Sequence, residues 1–420
     1  ADLQRGVDDH SPNGHYHLLE PSKFQRGGQL GVDGARRRDL VLEFLRQSQM
    51  DVRACRMRIG IEITAAVRQG GGIGRYVREM IRALAKGDTA NRYQLFFASP
   101  NPIPFPPAPL PSNFSTRHLQ FHDIWLARLW HLAQLPINVE WITGEIDLYH
   151  APDFVLPPTR ARSLLTVHDL SFARDPDSAA PTLRDYLNVV VPRSVKRATH
   201  IVAVSQATKN DLIEFYNTPQ EKISVIYEGV DEKFKPTVDK AKSEKYKLGE
   251  RPYIFSVSTI HPRKNFKRLM QAFAQLPKDF DLVIAGGKGW LYDDIFAEAQ
   301  KNKGRVRFLG FVPDDDLPAL YSGAAMFAYP SLYEGFGLPL LEAMACGTPT
   351  LSSNVSCLPE VAGGAAVTVS PYDVDSIAEG LKHTLANRSE LIKKGFARAS
   401  QFKWSAAARQ LIALYESLAL

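Results

Sequence analysis

From Met57 onward the apolar residues follow two alternating rhythms. "MRIGIEI" (57–63) repeats every second position, with Ile59, Ile61 and Ile63 on one face, which predicts a strand. The glycine run "GGGIG" follows, and Ile73, Val77, Ile81 and Leu84 then recur at helical spacing. After a proline-rich loop from Pro100 to Pro111, "IWLARLWHLAQLP" predicts an apolar helix with Trp125, Leu129 and Leu132 on one side. Short apolar runs at "DLYHA", "SLLTVHD" and "HIVAVS" predict buried strands, each followed by loop or helix signals.

A charged stretch from Asp231 to Arg251 predicts a linker, centred on 236–250. Beyond it the cycle restarts. Strands at "YIFSVS", "DLVIAG", "RVRFLG", "AMFAYP" and "TPTLSS" alternate with helices at "NFKRLMQAFAQL", "LYDDIFAEAQ" and "DLPALYSG", and with one opening near Pro339. Such alternation predicts an α/β fold of two facing, doubly wound Rossmann-like domains, at 57–235 and 251–403. A ligand is expected in the cleft between them, beyond the carboxyl ends of the strands. The last helix, 404–420, is expected to cross back to the first domain. Residues 1–56 lack sustained periodicity apart from a short helix near "DLVLEFLRQ" and are expected to form a flexible extension.

Composition narrows the function classes. An apolar content of 45% with 23% charged residues supports a globular core. Cys55, Cys346 and Cys357 share no metal-ligand spacing, which favours a reducing, cytoplasmic setting over a disulfide framework. No apolar run reaches the length of a membrane span. The net charge of +6 suits anionic partners, but the basic residues are scattered, so nucleic acid is not an expected partner.

The candidate chemistry is concentrated in "SLYEGFGLPLLEAMACGTPTLSS" (331–353), where Glu334 and Glu342 stand eight positions apart. Pro339 suits a first helical position and Gly347 a helix stop. The amides of Gly335, Phe336, Gly337 and Leu338 are then free at a helix N-terminus, which favours an anion. A bare phosphate would be repelled by both carboxylates. A sugar nucleotide resolves the conflict: Glu334 accepts from hexose hydroxyls, Glu342 from ribose hydroxyls, and the amides between hold the diphosphate. A plainer reading of Glu342 is that it complements the helix dipole.

"YEGFGLPLLEAMACGTP" and "LPEVAGGAA" resemble the E-x7-E region of the retaining glycosyltransferases of family 4, the glycosyl transferases group 1 family with a GT-B fold. The resemblance runs from Met57 to about Trp404 and is most specific in the second half. It implies transfer of a hexose from a nucleotide-sugar donor with retention at the anomeric carbon, and neither an obligatory metal nor a cofactor.

Other residues fit this frame. "VSTIHPRKNF" places Ser258 among the donor contacts and Arg263 and Lys264 where they neutralise a departing diphosphate, with Asn265 as a helix cap. Thr259 stands where the family often has an arginine, and the basic pair is adjacent, as in a mannosyltransferase-like subgroup; the resemblance of Pro262-Arg263-Lys264-Asn265 gives GDP-mannose a mild preference. His168 is expected beside the reacting sugar, its ring held by Asp169; the alternative is a satisfied core histidine. Gly72 and Gly74 fit a loop over the donor better than a nicotinamide fingerprint, because Val77 replaces its third glycine. By resemblance, the backbone of Val312 approaches the nucleobase. Ser205 suits a helix cap, and Asp175-Pro-Asp177 is read as a coincidental D-x-D. The acceptor is expected to be a saccharide or a lipid-linked glycan, with peripheral membrane contact through the Trp125–Trp130 helix set against a core role. A same-fold epimerase or phosphorylase, or a non-catalytic glycan-binding protein, are the alternatives.

Overall fold

The computed structural model describes residues 57–101, 109–132, 135–249, 251–302 and 304–419. The expected extension at 1–56 and most of the proline-rich loop lie outside them. Residues 56–420 belong to one unit that holds two sheets.

The first lobe runs β1 (Arg58–Glu62), α1 (Gly72–Gly87), β2 (Arg92–Ala98), β3 (Phe114–Leu119), α2 (Ile124–Ala127), α3 (Glu140–Thr143), β4 (Leu148–Ala151), β5 (Arg162–Val167), α4 (Pro181–Arg197), β6 (His200–Ala203), α5 (Gln206–Tyr216) and β7 (Ile223–Val225). The second contains α6 (Lys240–Lys245), β8 (Tyr253–Val257), β9 (Asp281–Ala285), β10 (Val306–Gly310), α7 (Leu317–Gly323), β11 (Met326–Tyr329), α8 (Leu338–Ala345), β12 (Thr350–Ser353) and β13 (Val367–Val369). Helix α9 (Trp404–Ala419) ends the described chain.

Both sheets are parallel, in the orders β3-β2-β1-β4-β5-β6-β7 and β10-β9-β8-β11-β12-β13. In each, the chain runs outward from a central strand, then restarts on that strand's other side. Loops leaving β1 and β4, and β8 and β11, therefore diverge and open a crevice at each switch point. The central strands are buried on both faces, as parallel strands under two helix layers must be: Ile59, Ile61, Ile254 and Phe255 are all sealed from solvent.

Three expectations change. "IWLARLWHLAQLP" is not one helix: α2 gives way to a π-turn at Arg128–Leu132, and Trp125 and Ile124 face solvent while Trp130 is buried. The side chain of Leu132 lies outside the described residues. The charged 236–250 segment is not an open linker, because Asp239 caps α6 at Lys242 and both Lys245 and Tyr246 bond Asp316 of the second lobe at 2.6 Å. Asn265 does not cap with its side chain; its amide donates instead to the carbonyls of Pro330 (2.9 Å) and Pro371 (2.7 Å). Carbonyls of two buried prolines are the stronger claim on that amide. Ser205, by contrast, caps α5 by accepting from the Thr208 amide.

α9 returns to the first lobe, where it packs against α1 and β4. Its Tyr415 hydroxyl lies 2.7 Å from His150 Nδ1, and the other ring nitrogen lies 2.8 Å from Thr166 Oγ1. Burial pushes the His150 imidazole down to about 3, so it stays neutral in the fold. An unfolded chain protonates that ring near 6.5. The stability it contributes is therefore full above pH 6.5 and drains away as pH falls toward 3. Tyr415→Phe leaves a buried ring nitrogen unpaired and is expected to cost about 1–3 kcal/mol in urea unfolding at neutral pH.

Candidate functional site

The loops after β8 and β11 converge at the carboxyl edge of the second sheet. After β8, a 3-10 turn at Pro262–Lys264 presents adjacent cations. Lys264 Nζ reaches both oxygens of Glu334 at 2.6 and 2.8 Å, while Arg263 bonds the Tyr333 carbonyl at 2.6 Å and Glu334 Oε2 at 3.3 Å. All three side chains are buried or nearly so. Burial alone would raise the Glu334 carboxyl, but Lys264 and Arg263 outweigh it and hold the group down at about 2. Burial and the neighbouring Arg263 push the Lys264 ammonium below its usual range, against the pull of Glu334. The cluster is a compact ion pair with one cation in excess.

The loop carrying Glu334 is pinned by its own lobe. Glu334 N donates to Ser356 Oγ at 3.0 Å, and the Cys357 thiol lies against the carbonyls of Glu334 and Phe336 at 3.2 and 3.1 Å. Gly337, at φ +98°, takes the cap position of α8, a backbone conformation that suits glycine. The helix therefore starts at Leu338, Pro339 is its second residue rather than its first, and Glu342 falls in the second turn instead of the first. The plain dipole reading of Glu342 weakens accordingly, since the effect fades beyond the first turn.

The first lobe meets this edge directly. A Cβ on Gly335 would stand 2.0 Å from the His168 carbonyl, so only glycine allows the two loops to touch. His168 is buried, with Nε2 2.9 Å from the Pro152 carbonyl and Nδ1 3.6 Å from Glu228. Burial disfavours its charge, but Glu228 and Asp153 outweigh that and raise its pKa. Asp169 does not hold the ring: its carboxylate accepts from the Ser171 amide at 2.9 Å and shapes the following turn. Glu228 faces the ring instead, 3.6 Å from Nδ1 and 60 residues downstream, a separation no local pattern reveals. Tyr333 joins the lobes through its hydroxyl, which donates to Asp211 and accepts from the Leu170 amide.

Glu342 is sealed, with 1% of its surface exposed. Tyr321 donates to Oε2 at 2.9 Å, and Arg75 of α1 donates to Oε1. The same guanidinium reaches Asp314 at 2.5 Å. Arg75 lies inside the "GIGRY" run, one residue past Gly74. Sequence reasoning stopped at the glycines and missed it. Gly74 itself has a packing cause: a Cβ there would stand 2.1 Å from the Gln69 carbonyl. Gly72 opens α1 with free space around its Cα.

The remaining expected contacts line the same edge. Ser258 follows β8, its amide bonded to the Ala285 carbonyl at 3.0 Å, and Val312 is buried in the loop after β10, two residues before Asp314. Phe336 packs against Phe402, with ring centroids 5.8 Å apart, and Leu338 is buried, so their side chains serve the core while their backbone bounds the loop. The Asp175 carbonyl accepts from the Ser178 hydroxyl at 2.9 Å in the turn that carries Asp177. Two cations beside a glycine-lined helix mouth, flanked by carboxylates, are chemically suited to a diphosphate with hydroxyls at both ends.

Comparison with known proteins gives a consistent picture. A family described as Glycosyl transferases group 1 matches residues 238–401, and one described as Glycosyltransferase Family 4 matches residues 70–234. The chain is 32% identical over 372 residues to the O-antigen chain mannosyltransferase B of Escherichia coli, covering 83% of this chain and 96% of that protein. Among solved structures it resembles sucrose-phosphate synthase from Thermosynechococcus elongatus (TM-score 0.68, 22% identity, 86% of this chain and 99% of that one). It also resembles Anabaena HepE in complex with UDP-glucose (TM-score 0.65, 20% identity, 86% and 100%).

Lys264→Met would leave Glu334 buried with Arg263, at 3.3 Å, as its remaining cation. The expected loss is about 3 kcal/mol in denaturant unfolding, as for other broken buried pairs. A change below 0.5 kcal/mol would show that the pair is not closed in solution.

Proposed function

Because the chain belongs to the glycosyl transferases group 1 family and has its GT-B architecture, we propose that it transfers mannose from GDP-mannose to a saccharide or lipid-linked acceptor with retention of anomeric configuration. The observation that carries this reading is the Arg263–Lys264–Glu334 cluster at the mouth of α8. Mannose and the polysaccharide setting are carried over from the similarity to the Escherichia coli O-antigen chain mannosyltransferase.

In this reading the bond from the anomeric carbon to the diphosphate oxygen breaks, and the acceptor oxygen bonds to that carbon from the same face. The acceptor proton passes to the departing diphosphate, so no side chain has to act as nucleophile. Arg263 and Lys264 neutralise the charge that grows on the diphosphate, the largest electrostatic demand of the step. They supply what a metal ion supplies elsewhere, and the nucleotide sugar is the sole co-substrate. Glu334 accepts from hexose hydroxyls and Glu342 from the ribose, while His168, its ring nitrogens facing the Pro152 carbonyl and Glu228, lies beside the hexose. An epimerase or phosphorylase would need no sugar acceptor, so acceptor-dependent release of the nucleoside diphosphate separates the readings.

A second observation favours contact with a membrane surface from the cytoplasmic side. Among the described residues no helix is long and apolar enough to cross a bilayer. Yet Trp141 is 77% exposed and Trp125 53%, with Ile124 and Leu135 also open to solvent. Trp130 and Leu156 border a cavity of about 270 Å³ whose rim carries Arg193, Lys196 and Arg197. An exposed tryptophan with a cation over it, as Arg128 lies 5.3 Å from the Trp125 ring, matches the interface of an anionic bilayer.

Lys264→Ala and Glu334→Ala are each expected to lower kcat/KM at least ten-fold, about 1.4 kcal/mol of transition-state stabilisation. Glu342→Ala should act mainly on the donor KM, because ribose contacts persist through the reaction. Assays of GDP-mannose turnover with NMR of the product anomer check all three, and normal turnover by Lys264→Ala would remove the assignment. For the membrane contact, wild-type protein should sediment with vesicles containing anionic phosphatidylglycerol, and the Trp125→Ser/Trp141→Ser double variant should stay in the supernatant. Equal sedimentation of the two would end that reading.

A further inference from the structure

We propose that Arg75 is a gate on the donor site: carried by the first lobe, it occupies the Glu342 carboxylate until ribose hydroxyls take its place. The inference rests on reading Glu342 as the ribose-binding group. As the lobes stand, Glu342 has 1% of its surface exposed, and no nucleotide can reach it without a displacement. Its two hydrogen-bond partners differ in what moves them. Tyr321 sits on α7, in the same lobe as Glu342, and travels with it. Arg75 sits on α1 of the opposite lobe, so a rotation between lobes withdraws it.

The gate has a second tie and a weak point. Asp314 holds the other end of the guanidinium at 2.5 Å, and Phe234 lies 5.8 Å from its carbon. Arg75 Nε is buried with no hydrogen-bond partner among the described residues. An unsatisfied buried donor lowers the cost of leaving that position. A competent site is then available only in the fraction of molecules with Arg75 withdrawn, and the apparent affinity for nucleotide is reduced by that fraction.

A residue that merely supports Glu342, or contacts the ligand itself, behaves differently. Its loss speeds dissociation, whereas loss of a gate speeds association. Unlabelled GDP, UDP and ADP should be mixed with wild type, Arg75→Met, Asp314→Asn and Glu342→Gln, and both rate constants read by stopped-flow tryptophan fluorescence. Arg75→Met is expected to raise the association rate constant about ten-fold with little change in dissociation, lowering the apparent Kd in proportion. Asp314→Asn, which leaves Glu342 untouched and carries the test if Arg75→Met does not fold, should raise it about three-fold. An unchanged or slower association in Asp314→Asn, or a faster dissociation in Arg75→Met, overturns the gate. Glu342→Gln reports on the underlying reading: if it binds nucleotide as the wild type does, or if the wild type binds none of the three, the ribose assignment fails and the gate falls with it.

Discussion

Buried charge has to be neutralised, and that requirement organises the junction between the two lobes. Glu334 and Glu342 are both withdrawn from water at the edge of the second sheet. A lone carboxylate in such a place would protonate, or the site would open. The chain avoids both outcomes in two ways. Glu334 takes its cations from its own lobe, through the turn after β8. Glu342 takes its cation from the other lobe, through α1. One carboxylate is thus fixed within a rigid unit, and the other ties two units together.

The difference has chemical consequences. A site that must stabilise a developing negative charge works best with dipoles and cations already in place, so that nothing reorganises during the reaction. The Lys264–Glu334 pair, pinned further by Ser356 and Cys357 around the loop backbone, meets that condition. Binding of the nucleotide end, in contrast, has to be reversible and coupled to entry and exit. A cation delivered across the cleft suits that role, because it can leave without disturbing the Lys264–Glu334 cluster.

Much of this was legible in the sequence because it is local. Alternation in β1 and apolar runs in β8, β9 and β11 mark the central strands, and the Glu334–Glu342 spacing, the glycines between them and the Arg263–Lys264 pair all lie within short windows. Strands β2, β3, β7 and β13 were not read. β3 leaves three of its six side chains exposed at the sheet edge, and β7 and β13 have three residues each, too few to show a period. The Trp125 segment carried helical spacing but breaks into a π-turn, with Trp125 facing outward and Trp130 buried. Pairs such as Arg75–Glu342 and His168–Glu228 join distant stretches, and a single sequence holds no record of them. Asp169, though next to His168, turns its carboxylate to the Ser171 amide instead.

The central claim is that a diphosphate lies at the mouth of α8, bonded to the amides between Gly335 and Leu338 and to Arg263 and Lys264. A crystal structure with GDP-mannose bound tests it most directly. The account predicts phosphate oxygens within hydrogen-bond distance of Lys264 Nζ and of at least one of those amides, with hexose hydroxyls on Glu334. Density for the nucleotide elsewhere, with the Lys264–Glu334 pair unchanged and the helix mouth empty, would contradict it.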